Sequence, residues 1–111
     1  MTTLSVSVRD RGDGGSVDGE SVTVAVIGEL DIATVPRFTA RMGELVRRWQ
    51  FRELVIDLSG LAFIDAGGLR ALAEVRHRVE QRDASLVLDG VPPQMLRLME
   101  IIGPARQFRL R

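Results

Sequence analysis

The 111-residue chain contains no cysteine, lysine, asparagine or tyrosine, and it has one histidine. Without cysteine it can form neither disulfide bonds nor thiolate metal sites, which fits a reducing compartment. No apolar stretch approaches the roughly 20 residues needed to cross a bilayer. The first ten residues have neither the basic start nor the long apolar region of a signal peptide. We therefore expect a cytoplasmic protein with no membrane segment.

An excess of charge of one sign is also missing. Fifteen basic residues, all arginine, balance fifteen acidic ones, so nothing in the sequence indicates electrostatic capture of nucleic acid. A GC-rich genome explains the use of arginine alone more simply than a role in phosphate binding does. The length fits one domain, residues 1–111, which can bury roughly two thirds of its unfolded surface.

Two alternating apolar runs, residues 4–8 and 21–27, predict an antiparallel strand pair. Residues 9–20, rich in glycine and aspartate, are predicted to be a flexible hairpin loop. Calcium binding is excluded there because the acidic residues do not follow EF-hand spacing. The tetrad Gly28-Glu29-Leu30-Asp31 is then expected to turn the chain out of the sheet.

Helical spacing of apolar residues predicts three helices after this hairpin. The first has Thr34 as its N-cap and Pro36 in its first turn, and it extends to about residue 49. The second covers residues 68–81, and the third begins at Pro92-Pro93 and stops before Gly103-Pro104. Strands are predicted at 53–58, 84–88 and 105–110. The order β-β-α-β-α-β-α-β predicts an α/β fold with a mixed, mostly parallel sheet.

The sequence offers little for catalysis. His77 lies within the second predicted helix with no second histidine or cysteine, so we expect no metal cluster, no Cys-His nucleophile and no cofactor. Asp31 and Asp57 each follow a strand and could converge, but a paired-acid enzyme needs a cleft that these short loops do not build. Ser59 is predicted to be a turn residue. We expect a protein without enzymatic activity.

The most informative segment is residues 57–69, DLSGLAFIDAGGL. Asp65 is predicted to cap the second helix because its carboxylate can accept free backbone N–H groups. Gly67 and Gly68 would let another backbone or side chain approach this helix start closely. These features favour a docking loop over a reaction centre. A small anion bound at the two glycines is a weaker alternative, because Asp31 and Asp65 would repel it.

Two motifs, GELD at residues 28–31 and DLSGLAFIDAGGL at 57–69, together resemble the STAS domain, and within it the bacterial anti-sigma factor antagonists. That family commonly has G-E-L-D followed some thirty residues later by D-L-S-x-x-x-F-[IM]-D-S-S-G-L. The resemblance covers nearly the whole chain. It implies a sheet with helices packed on one face, in a protein that binds an anti-sigma factor, often a serine kinase, and so frees a sigma factor. In the family the kinase phosphorylates the serine after the motif aspartate.

The resemblance also implies which residues bind the partner: Asp31, Ile32, Asp65, Ala66, Gly67, Gly68 and Leu69. Leu69 could equally belong to the core. Ala66 stands at the phosphoacceptor position and Gly67 at the next serine, so this loop has no hydroxyl to phosphorylate. Two functions therefore stay open. One is an antagonist that binds constitutively or is controlled at another site. The other is a STAS module of another system, such as a lipid-transport ATPase subunit or a larger signalling assembly.

The third predicted helix carries more apolar residues than one buried face needs. Most of them are expected in the core, and the remainder would form a patch for homodimerisation or docking. The residues concerned are Met95, Leu96, Leu98, Met99, Ile101 and Ile102.

Overall fold

One six-stranded sheet organises the described residues, which are 3–12, 21–102 and 108–111 of a computed structural model. Its strand order is β1-β2-β3-β5-β6, and β4 pairs with β2 beyond the end of β3. The β1–β2 pair is antiparallel and the other pairs are parallel. The strands are β1 (Leu4–Gly12), β2 (Ser21–Leu30), β3 (Glu53–Asp57), β4 (Leu61–Ile64), β5 (Ser85–Asp89) and β6 (Arg109–Leu110).

Three helices connect the parallel strands: α1 (Val35–Arg48), α2 (Ala66–Glu80) and α3 (Pro93–Ile101). Each connection moves one strand further in the same direction, so right-handed crossovers place all three helices on one face. Side chains from that face and the helices form the core, including Val24, Ile56, Leu88, Phe38, Met42, Leu72 and Met95, all fully buried. The predicted α/β class, the mixed sheet and the helix-covered face are confirmed.

Both strands of the opening hairpin are longer than predicted. β1 continues through residues 9–12, which were predicted as loop, with a register shift between Val8 and Asp10. The rest of that predicted loop, residues 13–20, lies outside the described residues. β2 does not leave the sheet at Gly28 but continues to Leu30. Gly28 makes this possible because its φ is 110° and a Cβ there would lie 2.4 Å from the Thr3 carbonyl oxygen.

β4 was missed from the sequence, where residues 61–64 were expected to be loop. β3 ends at Asp57 opposite Ala25, which leaves residues 26–30 of β2 without a partner on that side. The chain turns at residues 59–60 and returns alongside β2, pairing Leu61 with Gly28 and Ile64 with Leu30. The longer β2 thus provides the template for β4, and the element order gains one strand.

Smaller differences concern the helix ends and the last strand. α2 begins at Ala66, two residues earlier than predicted, and ends at Glu80. The described part of the last strand is Arg109–Leu110, while residues 103–107 of the predicted helix stop and strand lie outside the described residues. On α3, Met95 and Met99 are buried, whereas Leu96 and Ile101 are 40% and 81% exposed. None of the helices in the described ranges is long and apolar enough to span a bilayer.

Two arginines of α1 cover the outer edge of β1. The Thr3 carbonyl accepts the Glu29 N–H, so the alternate carbonyls of Leu4 and Val6 face away from β2. Arg37 donates to the Leu4 carbonyl, and the Arg41 Nε–H donates to the Val6 carbonyl at 3.5 Å. Charged side chains on an edge strand oppose pairing with a second chain.

Candidate partner-docking site

The site lies where β2 and β4 end and α1 and α2 begin. The last residues of the two strands, Leu30 and Ile64, are paired, and the Asp65 N–H donates to the Leu30 carbonyl at 3.3 Å. The loop of residues 31–34 and the start of α2 at residues 65–68 therefore lie side by side. This is the carboxyl end of parallel strands, where α/β proteins commonly place functional loops.

The carboxylate of Asp65 holds these two segments together. Its Oδ1 accepts the Gly68 N–H at 2.8 Å, which confirms the predicted cap of α2. Its Oδ2 accepts the Ile32 N–H at 3.2 Å. One side chain thus satisfies donors from both segments, so the placement of Ile32 depends on the start of α2.

Asp31 and Thr34 form a reciprocal pair ahead of α1. The Asp31 Oδ1 accepts the N–H groups of Ala33 and Thr34 at 2.9 and 3.2 Å, and the Thr34 hydroxyl accepts the Asp31 N–H at 3.0 Å. The hydroxyl also donates to the Glu29 carbonyl at 2.8 Å. Thr34 does precede α1 as predicted, but its side chain caps no helical N–H. The Asp31 carboxylate instead accepts from the turn that precedes α1, in a reciprocal arrangement with the residue spacing of a capping box.

The glycine pair divides into a buried and an accessible member. A Cβ on Gly68 would lie 2.3 Å from the Leu30 carbonyl oxygen, so the close approach predicted there comes from β2 of the same chain. At Gly67 the nearest atom would be the Asp65 Oδ1 at 3.4 Å. Gly68 is buried, and Leu69, which the sequence left open, lies in the core at 3% exposure.

The accessible surface of the site, which we call the docking surface, consists of Asp31, Ile32, Asp65, Ala66 and Gly67. Ile32 is the most exposed large apolar residue among the described ranges, at 84%. Beside it lies a groove of about 560 Å³ between α1 and α2, lined by both apolar and charged residues. The groove is lined by Ile32, Val35, Pro36, Asp65, Gly67, Arg70, Ala71 and Glu74.

Asp57 does not join this site, and the suggested convergence with Asp31 is wrong. Asp57 lies opposite Ala25, whereas Asp31 follows the far end of β2. The Asp57 Oδ1 accepts the backbone N–H and the hydroxyl of Ser59 at 2.9 and 2.7 Å, which confirms the turn role of Ser59. These bonds, led by the backbone N–H and aided by an ion pair with Arg9, outweigh burial and hold the pKa of the Asp57 carboxyl below its usual value.

Comparison with known proteins identifies the family of this chain. Residues 15–110 match the family model described as "Mlab, STAS domain". The chain belongs to the STAS domain family. This STAS domain is 29% identical over 103 residues to an anti-sigma-B factor antagonist of Listeria monocytogenes, an alignment that covers 90% of this chain and 82% of the relative.

Two further matches agree. An anti-sigma-B factor antagonist of Staphylococcus aureus is 31% identical to this STAS domain over 80 residues, which covers 72% of this chain and 73% of the relative. The crystal structure of an anti-sigma factor antagonist from Mycobacterium paratuberculosis superposes with a TM-score of 0.79 at 27% identity. That superposition covers 97% of this chain and 85% of the other. The similarity therefore extends over the whole sheet.

Sequence reasoning missed that Thr34 links β2 to the loop before α1. The signal was present, because Asp31-x-x-Thr34 just before an amphipathic helix has capping-box spacing. The bridge from Asp65 to Ile32 had no comparable signal. It joins residues 33 positions apart, and it exists only because β2 and β4 pair.

Proposed function

We propose that this protein is a non-enzymatic regulator that binds an anti-sigma factor of the serine-kinase type and so releases a sigma factor in the cytoplasm. Two relatives and one structural neighbour carry the name of anti-sigma factor antagonist, at identities of 27–31%. The docking surface suits binding better than chemistry. It presents one apolar side chain, two carboxylates engaged in hydrogen bonds and exposed backbone at a helix start.

The observation that carries this proposal is the position of Ile32. When a partner covers this side chain, which is 84% exposed, its full burial contributes about 1.5–3 kcal/mol to the stability of the complex. Its backbone N–H is fixed by Asp65, so the side chain is presented at a defined place beside the groove. A pre-organised apolar anchor of this kind is typical of the residues that dominate binding energy.

We further infer that the docking surface works without a phosphorylation switch. Ala66 and Gly67 have no hydroxyl, and among residues 31–34 and 65–68 only Thr34 has one. Thr34 is 4% exposed and its hydroxyl donates to the Glu29 carbonyl, so a kinase could not reach it without unfolding the loop. A phosphate adds a charge of about −1.5 to −2, which beside Asp31 and Asp65 would repel an acidic partner. Without that input, binding is constitutive or is controlled elsewhere.

The test is direct binding to purified kinase-type anti-sigma factors from the same genome, measured by calorimetry. Ile32→Ala should weaken the complex by about tenfold or more without lowering the melting temperature, because the side chain has few contacts in the free protein. Ile101→Ala is the matched control, since Ile101 is 81% exposed on α3, outside the docking surface. The proposal fails if no kinase-type anti-sigma factor binds, or if the two variants weaken binding equally.

A STAS module of another system, such as a lipid-transport ATPase or a larger signalling assembly, is the second candidate. The absence of a hydroxyl at Ala66 and Gly67 favours it, because such a module needs no phosphoacceptor. The matching family model is also described as "Mlab, STAS domain" and not as an antagonist family. The genes beside this one and the proteins that co-purify with it separate the two candidates.

A further inference from the structure

Within residues 3–12, 21–102 and 108–111, the outer edge of β4 bonds to a side chain and not to another strand. Because Asp65 bonds to the Leu30 carbonyl across the β2–β4 pair, the N–H and C=O of Ile64 point away from β2. The side-chain amide of Gln94 meets both groups. Its Oε1 accepts the Ile64 N–H at 3.3 Å, and its Nε2 donates to the Ile64 carbonyl at 2.9 Å.

This amide occupies the place that a neighbouring strand would take. Ile64 is 1% exposed, so its backbone groups have little access to water and would be left unsatisfied without Gln94. Gln94 itself is half-buried in the first turn of α3, thirty residues further along the chain. The contact therefore ties α3 to the last residue of β4.

The residue that Gln94 holds immediately precedes Asp65. The Asp65 carboxylate can reach both Gly68 and Ile32 only if its own backbone is fixed between the two segments. On one side that backbone is fixed by the Leu30 carbonyl, and on the other the preceding peptide is fixed by Gln94. Loss of either restraint lets the end of β4 shift, and a shift of 1 Å breaks a hydrogen bond of 2.8–3.2 Å.

We propose that Gln94 is a positioning residue of the docking surface, which sets the place of Asp65 and through it the placement of Ile32. The predicted effect on affinity rests on the proposed function. The predicted effect on the positions of Asp65 and Ile32 does not, because it concerns the free protein. No other amino acid reproduces the contact. Glutamate accepts but does not donate when ionised, leucine does neither, and asparagine is shorter by one methylene.

Two substitutions separate positioning from a role confined to α3. A glutamate in the first turn of a helix is favoured by the helix dipole, so a helix-local role predicts that Gln94→Glu stabilises the protein. Positioning predicts the opposite, because the carboxylate would face the Ile64 carbonyl oxygen. Gln94→Leu removes both hydrogen bonds at similar size and without charge. Gln50→Glu, at an exposed position before β3, controls for the added charge.

The experiment is amide hydrogen exchange of the free, full-length protein by NMR. We expect exchange at the Ile64 and Gly68 amides to accelerate by about tenfold or more in Gln94→Glu and Gln94→Leu, relative to the core amide of Ile56. Gln50→Glu should leave all three unchanged. Equal acceleration at Ile56 would show a merely structural role and overturn the proposal, as would an unchanged Gly68 amide.

Binding provides the second arm. With a kinase-type anti-sigma factor that binds the wild-type protein, both Gln94 variants should weaken affinity about fivefold or more, although neither changes Ile32 itself. Faster exchange at Gly68 with unchanged affinity would overturn the link from Gln94 to binding. Failure of the proposed function looks different, because the wild-type protein itself would then not bind while the exchange pattern held.

Discussion

The Asp65 carboxylate accepts the backbone N–H of Ile32 at 3.2 Å while it caps α2 through Gly68. A helix cap normally serves only its own helix. Here the second carboxylate oxygen extends the cap to the loop before α1, so the two halves of the docking surface are fixed relative to each other. The order of the surface therefore depends on one side chain that also contributes to folding.

Substitutions at Asp65 should separate these two roles. Asparagine caps helices about as well as aspartate, so Asp65→Asn keeps the bond to Gly68, but its amide nitrogen cannot accept from Ile32. We expect a melting temperature close to that of the wild type and a weaker complex. Asp65→Ala loses both bonds and should lower the free energy of unfolding by about 1–2 kcal/mol. Urea unfolding and calorimetric binding measure the two effects. Equal binding by wild type and Asp65→Asn would contradict the cross-loop role.

The two glycines at the start of α2 should respond differently to alanine. In Gly68→Ala the new Cβ would lie 2.3 Å from the Leu30 carbonyl oxygen, so we expect a loss of about 1–3 kcal/mol in the free energy of unfolding. Gly67→Ala is the matched control, because it meets no atom closer than 3.4 Å and gains helix propensity worth about 0.5–1 kcal/mol. Thermal and urea unfolding test the pair. Similar stabilities for the two variants would show that the Leu30 carbonyl does not limit the size of residue 68.

Ala66 offers a test of the proposal that this loop works without a phosphorylation switch. Incubation of Ala66→Ser with a kinase-type anti-sigma factor and ATP should yield a singly phosphorylated protein, detected by mass spectrometry, and Ala66→Glu should weaken binding because it adds charge beside Asp65. Ala33→Ser puts a hydroxyl on the adjacent exposed loop and should stay unmodified. Phosphate on the wild-type docking surface, or none on Ala66→Ser with an active kinase that binds it, would contradict the assignment of this position.

The stability of the fold should depend on the ionisation of Asp57. Its pKa is lowered in the folded state from a usual 3.8, so its stabilising contribution is present above that value and is lost as the pH falls through the folded pKa. Asp57→Asn should cost about 2 kcal/mol near neutral pH, where charged hydrogen bonds to Ser59 and the Arg9 ion pair are lost. The difference between wild type and variant should shrink below about pH 4. Urea unfolding across this range measures it, and a difference that stays constant with pH would contradict the assignment.

The sequence predicted the parts of the fold that depend on local pattern. The amphipathic spacing of Phe38 and Met42 placed α1, and the continuous apolar run before Asp57 placed β3 as a central strand. Asp65 was predicted as a cap because a carboxylate before a helix has a defined partner, the third N–H beyond it.

The sequence could not predict the parts that depend on pairing between distant segments. β4 has only four residues, Leu61–Ile64, and an apolar run this short does not distinguish a strand from other structures. It forms because β2 continues past Gly28, where the sequence predicts a turn. The contact of Gln94 with Ile64 likewise joins residues 30 positions apart, and no periodic pattern in the sequence indicates it.

The pairing of β2 with β4 has a consequence for how this surface can change over generations. Backbone hydrogen bonds, the Asp65 cap and the Gly68 contact fix the loop, while the exposed side chain of residue 66 does none of this work. We therefore expect that a single codon change can place a hydroxyl at this position without a penalty in folding. The fold of this loop is therefore independent of whether residue 66 carries a hydroxyl.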